Sequence, residues 1–245
     1  MAIPKGLDPT GIILVDKPAG PSSFAIVAQV RGRTRAKTGH AGTLDPFATG
    51  LLVLLSGRAT RLASCFVGLD KRYLTEIDLS ARTTTGDPEG DELERHEPLA
   101  GAALEAALAA LRGEVELPIP AASAVKIGGE RAYRLHRRGI DVEMPVRRSR
   151  VDSLDIVIPG DDEQREGFVT LDLRVSSGTY IRSIADALGG HCVSLRRTEV
   201  GPFRVEEADP EKVLPVDEAL ERIGLTPEQA ERLRSEGAPR AKARR

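Results

Sequence analysis

Residues 169–190, VTLDLRVSSGTYIRSIADALGG, join the cleanest strand signature of the chain to a turn and a helix. Val169, Leu171, Leu173 and Val175 alternate with Thr170, Asp172, Arg174 and Ser176, a period of two that buries one set of side chains and turns the other toward water. Residues 181–188 then switch to helical spacing. Working outward, residues 12–15, 73–79 and 146–158 also carry strand material, with Tyr73, Thr75, Ile77 and Leu79 on one face of the second. Residues 51–55 are apolar throughout, and periodicity alone fits them to a strand or a helix.

Helices are expected after a Ser22 or Ser23 cap from Phe24, through Leu104, Ala107, Leu108 and Leu111 up to Gly113, and over a short basic run ending at Gly139. Two more fall near 213–223 and 227–234, the last with Thr226 as cap, Pro227 in the first turn and Gln229 completing a capping box. Residues 80–98 and 159–167 read as loops, and 239–245 as a flexible basic tail. Because the strands cluster and do not alternate with crossover helices, the pattern predicts an α+β fold: a mainly antiparallel mixed sheet with packed helices.

The 245 residues suffice for one large domain or a main domain with a smaller one. No apolar run approaches the roughly 20 residues that span a bilayer, and no secretory segment is recognisable, so a cytoplasmic protein without membrane contact is expected. Cys65 and Cys192 sit beside apolar residues and read as buried thiols, and His40, His96, His136 and His191 are scattered, so no metal site is expected. The net charge of −2 hides segregation. Residues 1–72 carry ten Lys/Arg against four Asp/Glu, 126–150 carry eight against three, and 87–116 carry two against nine. Two basic stretches brought together would offer phosphates a positive groove; a solvated, salt-bridged surface accounts for the counts equally well.

The stretch most suggestive of chemistry is residues 37–52, KTGHAGTLDPFATGLL, which sets Asp45 among small residues and glycines. Glycine tolerates close approach and unusual backbone angles, and Pro46 biases Asp45 toward extended geometry. A turn in which Asp45 merely caps amides has the same composition.

Taken with residues 177–182 (SGTYIR), this loop resembles one family: the bacterial tRNA pseudouridine-55 synthases of the TruB type. Residues 17–23, 40–50, 71–73, 123–133, 177–182 and 195–203 match its ordered motifs, over roughly residues 10–205. Ser22 stands where the opening motif has threonine, and IPAASA at 119–124 departs from the usual PPxYSA or PPxFSA, with Ile119 and Ala122 replacing a proline and an aromatic.

The resemblance implies a pseudouridine synthase fold and isomerisation of uridine 55 in the T-loop of tRNA, by base flipping and without cofactor or metal. It assigns Asp45 as the essential carboxylate; covalent addition to the nucleotide and abstraction of a sugar proton to give a glycal both remain open. Arg182 would pair with Asp45, Tyr73 would stack on the extruded base, Tyr180 would hydrogen-bond in the pocket and Leu195 would pack on the base. His40 would support RNA conformation. Lys17, Gly20 and the group Lys126, Arg131, Arg134, Arg137 and Arg138 would position the RNA, chiefly by shape. Residues 1–205 would form the catalytic domain, with an RNA-gripping segment near 119–150, and 206–245 a short helical extension. The 42 residues after Phe203 are too few for the full accessory RNA-binding domain of longer relatives. The expected partner is the tRNA T-arm, bound by a monomer with no obligate protein partner.

Other classes fit less well. A binding-only RNA module would need no Asp45–Arg182 pair, and a glycosidase would place two carboxylates across the sugar. A pseudouridine synthase of different RNA specificity would share nearly all of the chemistry.

Overall fold

The computed structural model describes residues 9–157 and 165–236. In chain order the elements are β1 (Gly11–Lys17), α1 (Ser23–Thr34), β2 (Thr38–His40), β3 (Thr49–Ser56), α2 (Ala63–Val67), β4 (Lys71–Asp78), β5 (Ala81–Thr83), β6 (Glu92–Arg95), α3 (Gly101–Ala110), β7 (Gly113–Pro118), β8 (Lys126–Ile127), β9 (Glu130–Arg131), α4 (Ala132–Arg137), β10 (Val146–Ile156), β11 (Phe168–Val175), α5 (Ile181–Ala187), β12 (His191–Val200), β13 (Phe203–Arg204), α6 (Val216–Arg222) and α7 (Pro227–Glu236). They fall into two compact units, one of residues up to 73 and from 196, the other of residues 74–195. The end of the expected strand at Ile158, residues 159–164 of the expected loop and the tail 239–245 lie outside the described residues.

The first unit is built on β3. It pairs antiparallel with β1 from Gly11↔Ser56 to Lys17↔Gly50. Its other edge is divided: β12 runs parallel to it at Thr49 and Gly50, and β2 runs antiparallel to it from Leu54 to Ser56. Both faces of β1 and β3 are covered. Ile12, Leu14, Leu51, Val53 and Leu55 pack with Phe66, Phe203, Leu220 and Ala230, while Ile13, Val15, Leu52 and Leu54 pack against Ile26, Val27 and Val30 of α1. Double burial explains the unbroken apolar run at 51–55 and settles it as a strand. The helices after residue 206 thus contribute to this core, and Leu214 exchanges two backbone hydrogen bonds of 2.9 and 2.7 Å with Ile12 on the free edge of β1.

Ser22 caps α1, accepting from the Ala25 N–H at 3.2 Å, and the Thr226–Gln229 capping box of α7 forms in both directions. In the second unit the strand order is β4–β11–β10–β7, with β10 antiparallel to both of its neighbours. Val169, Leu171, Leu173 and Val175 are buried as their alternation predicts, and α5 buries Ile181, Ile184 and Ala185. The sheet is mixed and mainly antiparallel, as expected.

Two expectations need correction, and two strands carry no clear signal in the sequence. Residues 80–98 are not all loop: β5 and β6 form a hairpin, whose exposed, acid-rich second strand carries no apolar alternation. Residues 113–118 form β7, hidden by alternate glutamates, and 191–200 form β12, where buried Arg197 and Glu199 occupy inward positions that read as polar. The helix through Leu108 ends at Ala110, and Gly113, with φ +84°, opens β7.

Gly50 fixes how closely β3 approaches β12. Its φ is +102°, and a Cβ there would lie 2.2 Å from the Arg197 carbonyl oxygen and 2.7 Å from the Arg197 nitrogen. Gly50→Ala is expected to cost on the order of 3 kcal/mol in urea denaturation, from strain and overpacking together. Gly32→Ala in α1, where the added carbon meets nothing within 4 Å, is expected to stabilise by about 0.5–1 kcal/mol. Equal effects of the two substitutions would contradict this packing.

Candidate active site

The loop between β2 and β3, residues 41–48, carries Asp45 and leaves the sheet where the edge of β3 is divided. The Ala41 N–H donates to Val53 O at 2.9 Å. Ser23 Oγ, at the start of α1, both accepts from the Leu44 N–H and donates to Leu44 O, each at 2.7 Å. On the far side of Asp45, Pro46 O accepts from the Gly20 N–H at 2.8 Å and from Lys17 Nζ at 3.1 Å, and the Ala48 N–H closes a turn onto Asp45 O at 3.2 Å. Asp45 is half-buried, held between fixed neighbours on both sides.

Three cations lie beneath this part of the first unit. Lys17 is fully buried, and its ammonium donates to Pro18 O, Pro21 O and Pro46 O. That corrects its expected role: it ties the KPAGPSS turn to the Asp45 loop and does not present itself to a phosphate at the surface. Arg197, 1% exposed, donates to Leu51 O at 2.7 Å, Thr43 O at 3.1 Å and Gly42 O at 3.3 Å. Lys71 donates to Val67 O and Leu69 O. Burial first, and then the positive charge of Arg197, pull its pKa down to about 8. His40, at the end of β2, is pushed below the ordinary histidine value by burial and by Arg197, and its buried Nδ1 has no hydrogen-bond partner among the described residues. A neutral imidazole suits a packing or hydrogen-bonding role. Gly20, φ +102°, meets nothing within 4 Å, which leaves room for close approach at the turn. Tyr73, on the inward face of β4, is 8% exposed.

In the second unit, Arg182 lies in the first turn of α5 and is 3% exposed. Its guanidinium donates to Thr85 O at 2.7 Å and Ala122 O at 3.0 Å and pairs with the buried Asp87 carboxylate at 3.2 Å. Asp87 in turn accepts from Thr85 Oγ1 and the Glu89 N–H. Half-buried Tyr180 sits at the N-cap of α5, and Leu195 is buried in β12. The basic group is displayed at the surface: Lys126 and Arg131 face each other across the β8–β9 hairpin, closed by Gly128 and Gly129 in the left-handed region, and α4 carries Arg134 and Arg137. Both arginines lie over the ring of Tyr133, at 5.9 and 5.6 Å from its centroid. Arg138 is engaged by Glu130 at 3.0 Å, and Arg131 by Ala124 O.

Sequence reasoning missed Arg197, Lys71, Ser23, Asp87 and Tyr133. Arg197 and Lys71 lie in recognised motifs, but a cation in a basic stretch reads as a surface group until burial is known. The two units each offer chemistry one thing: the first a carboxylate whose backbone is pinned on both flanks, the second an exposed basic surface around the half-buried Tyr133 ring, suited to a polyanion.

Residues 30–181 match the family described as TruB family pseudouridylate synthase, N-terminal domain. A relative named tRNA pseudouridine synthase B from Mycobacterium sp. (strain KMS) is 44% identical over 249 residues, covering 91% of this chain and 82% of its own. Its namesake in Thermobifida fusca is 46% identical over 211 residues, covering 81% and 72%. Among solved structures, one chain of a Cbf5–Nop10–Gar1 complex superposes with a TM-score of 0.59 at 26% identity over 83% of this chain, which spans 56% of that one.

The depressed Lys71 pKa has a measurable consequence. Between about pH 8 and the ordinary value of 10.5 the unfolded chain binds a proton at Lys71 that the folded chain does not, so stability rises with pH across that window. Below it the cost of burying the ammonium is carried in full. The stability difference between wild type and Lys71→Met is therefore expected to shift by up to about 3 kcal/mol in favour of wild type from pH 8 to 10.5. Parallel pH profiles would contradict the burial of a charged Lys71.

Proposed function

This chain belongs to the TruB family of pseudouridylate synthases, and from that membership we propose that it converts uridine 55 in the T-loop of tRNA to pseudouridine, with Asp45 as the essential carboxylate. The reaction breaks the N1–C1′ glycosidic bond, turns the uracil and forms a C5–C1′ bond; no atom enters or leaves. It needs a positioned carboxylate oxygen near the sugar, and the observation that carries the reading is the pinning of residues 41–48 by Ser23, Lys17 and Arg197 on either side of Asp45.

In this reading the target uridine leaves the stack before it reacts, because its reacting atoms are inaccessible within a folded loop. Tyr73 offers a flat partner to the extruded base, Tyr180 a hydroxyl, Leu195 an apolar surface, and Arg182 supports the carboxylate. His40 and Gly20 shape the approach of the RNA. Lys126, Arg134 and Arg137, with Tyr133 between the two arginines, meet the phosphates and ribose of the T-arm, where shape more than sequence selects the substrate. Arg131 and Arg138, already engaged within the hairpin and helix, contribute less.

The test is base-resolved mapping of pseudouridine in unmodified tRNA and in an isolated T-arm stem-loop. Both are expected to be modified at position 55 alone. Asp45→Asn is expected to bind each RNA with unchanged affinity and to form no product. Product confined to the anticodon arm or to ribosomal RNA would keep the reaction and reject the specificity, and normal turnover by Asp45→Asn would reject the assignment of Asp45.

A further inference from the structure

Arg197 is the largest fully buried side chain of the described residues, and among them it forms no ion pair. Burying a guanidinium without a carboxylate is costly, and the cost is offset only where its donors are satisfied with good geometry. Here each of its three nitrogens reaches a backbone carbonyl: Leu51 O on β3, and Gly42 O and Thr43 O on the loop that leads to Asp45. The three acceptors are met by three different nitrogens, Nε, Nη1 and Nη2, whose fixed planar spread a single lysine ammonium cannot reproduce. The surroundings accommodate this one group. Gly50 has no side chain where the Arg197 backbone passes: a Cβ there would lie 2.2 Å from the Arg197 carbonyl oxygen.

We propose that Arg197 is a positioning residue for the isomerisation, a buried clamp that sets the Asp45 loop against β3 and never touches RNA. This deepens the proposed function and rests on it. The residue lies in a basic motif of an RNA-modifying family, where a nucleic-acid contact would be the ordinary assignment. Its geometry points elsewhere, since every donor direction on the guanidinium that reaches a partner ends on this chain's own backbone. Lysine at this position keeps the charge and loses the bridge between strand and loop. The carboxylate would then sample positions away from the sugar while the RNA-binding surface stays intact.

The test compares Arg197→Lys and Arg197→Gln with wild type in single-turnover pseudouridine formation on a T-arm transcript, alongside RNA affinity at several salt concentrations. The expected result is a rate lower by on the order of 100-fold, as for a carboxylate displaced by about 1 Å, with affinity and salt slope unchanged. Leu220→Ala, on α6 in the hydrophobic core of the same unit, is expected to lower the melting temperature without that loss of rate. A wild-type rate in Arg197→Lys overturns the proposal, as does a fall in affinity and salt slope at constant rate, which would make Arg197 an RNA contact. If neither variant folds, the wild-type protein decides: its Arg197 Nε–H is expected to exchange slowly with solvent, and exchange as fast as that of an exposed arginine overturns the clamp. Asp45→Asn run in parallel separates the failures. An inactive Asp45→Asn with an active Arg197→Lys removes the clamp alone, whereas turnover by Asp45→Asn removes the reading beneath it.

Discussion

The first unit depends on buried cations bonded to backbone carbonyls. Lys17 and Arg197 between them take up Pro46 O, Thr43 O and Gly42 O, so the loop bearing Asp45 is held from both sides by groups that cannot leave without stranding a charge in the interior. The divided edge of β3 makes room for this. Between its pairing with β12 at Gly50 and with β2 at Leu54, Val53 O is taken by the Ala41 N–H and Leu51 O by Arg197, so no carbonyl of the gap is wasted on solvent. A carboxylate mounted this way has little conformational freedom left to lose when substrate binds, and that loss would otherwise add to the barrier.

The second unit treats its arginines in two ways. Arg182 is buried and fixed by Asp87, Thr85 O and Ala122 O, whereas Arg134 and Arg137 stay exposed beside Tyr133. Buried guanidinium groups bonded to backbone shape a site; exposed ones near an aromatic ring are available to phosphate and base. The distinction separates roles that charge counting treats as equal.

Much of this was legible in the sequence where one interaction dominates. The alternation at 169–176 gave β11, and the Thr226–Gln229 box gave the start of α7. The Asp45 loop was recognisable by its residues and by family resemblance. What stayed hidden is set by tertiary burial. Glu116 and Glu114 disguised β7, Arg197 and Glu199 disguised β12, and the acidic run disguised the β5–β6 hairpin. Lys17 read as an RNA-positioning group because nothing local says that its ammonium turns inward to three carbonyls. Asp87 sits in a stretch of nine acids against two bases, where one buried carboxylate cannot be told from its solvated neighbours.

The central claim, that the Asp45 loop is pinned before any RNA arrives, is tested most directly by residue-resolved amide hydrogen exchange of the free protein. The N–H groups of Ala41, Leu44 and Gly20 donate to Val53 O, Ser23 Oγ and Pro46 O, and none lies within a helix. The account predicts that they exchange as slowly as the amides of β3, opening only when the first unit opens. Exchange at rates near those of an unstructured chain, with β3 still protected, would show a loop that is free until substrate orders it and would contradict the account.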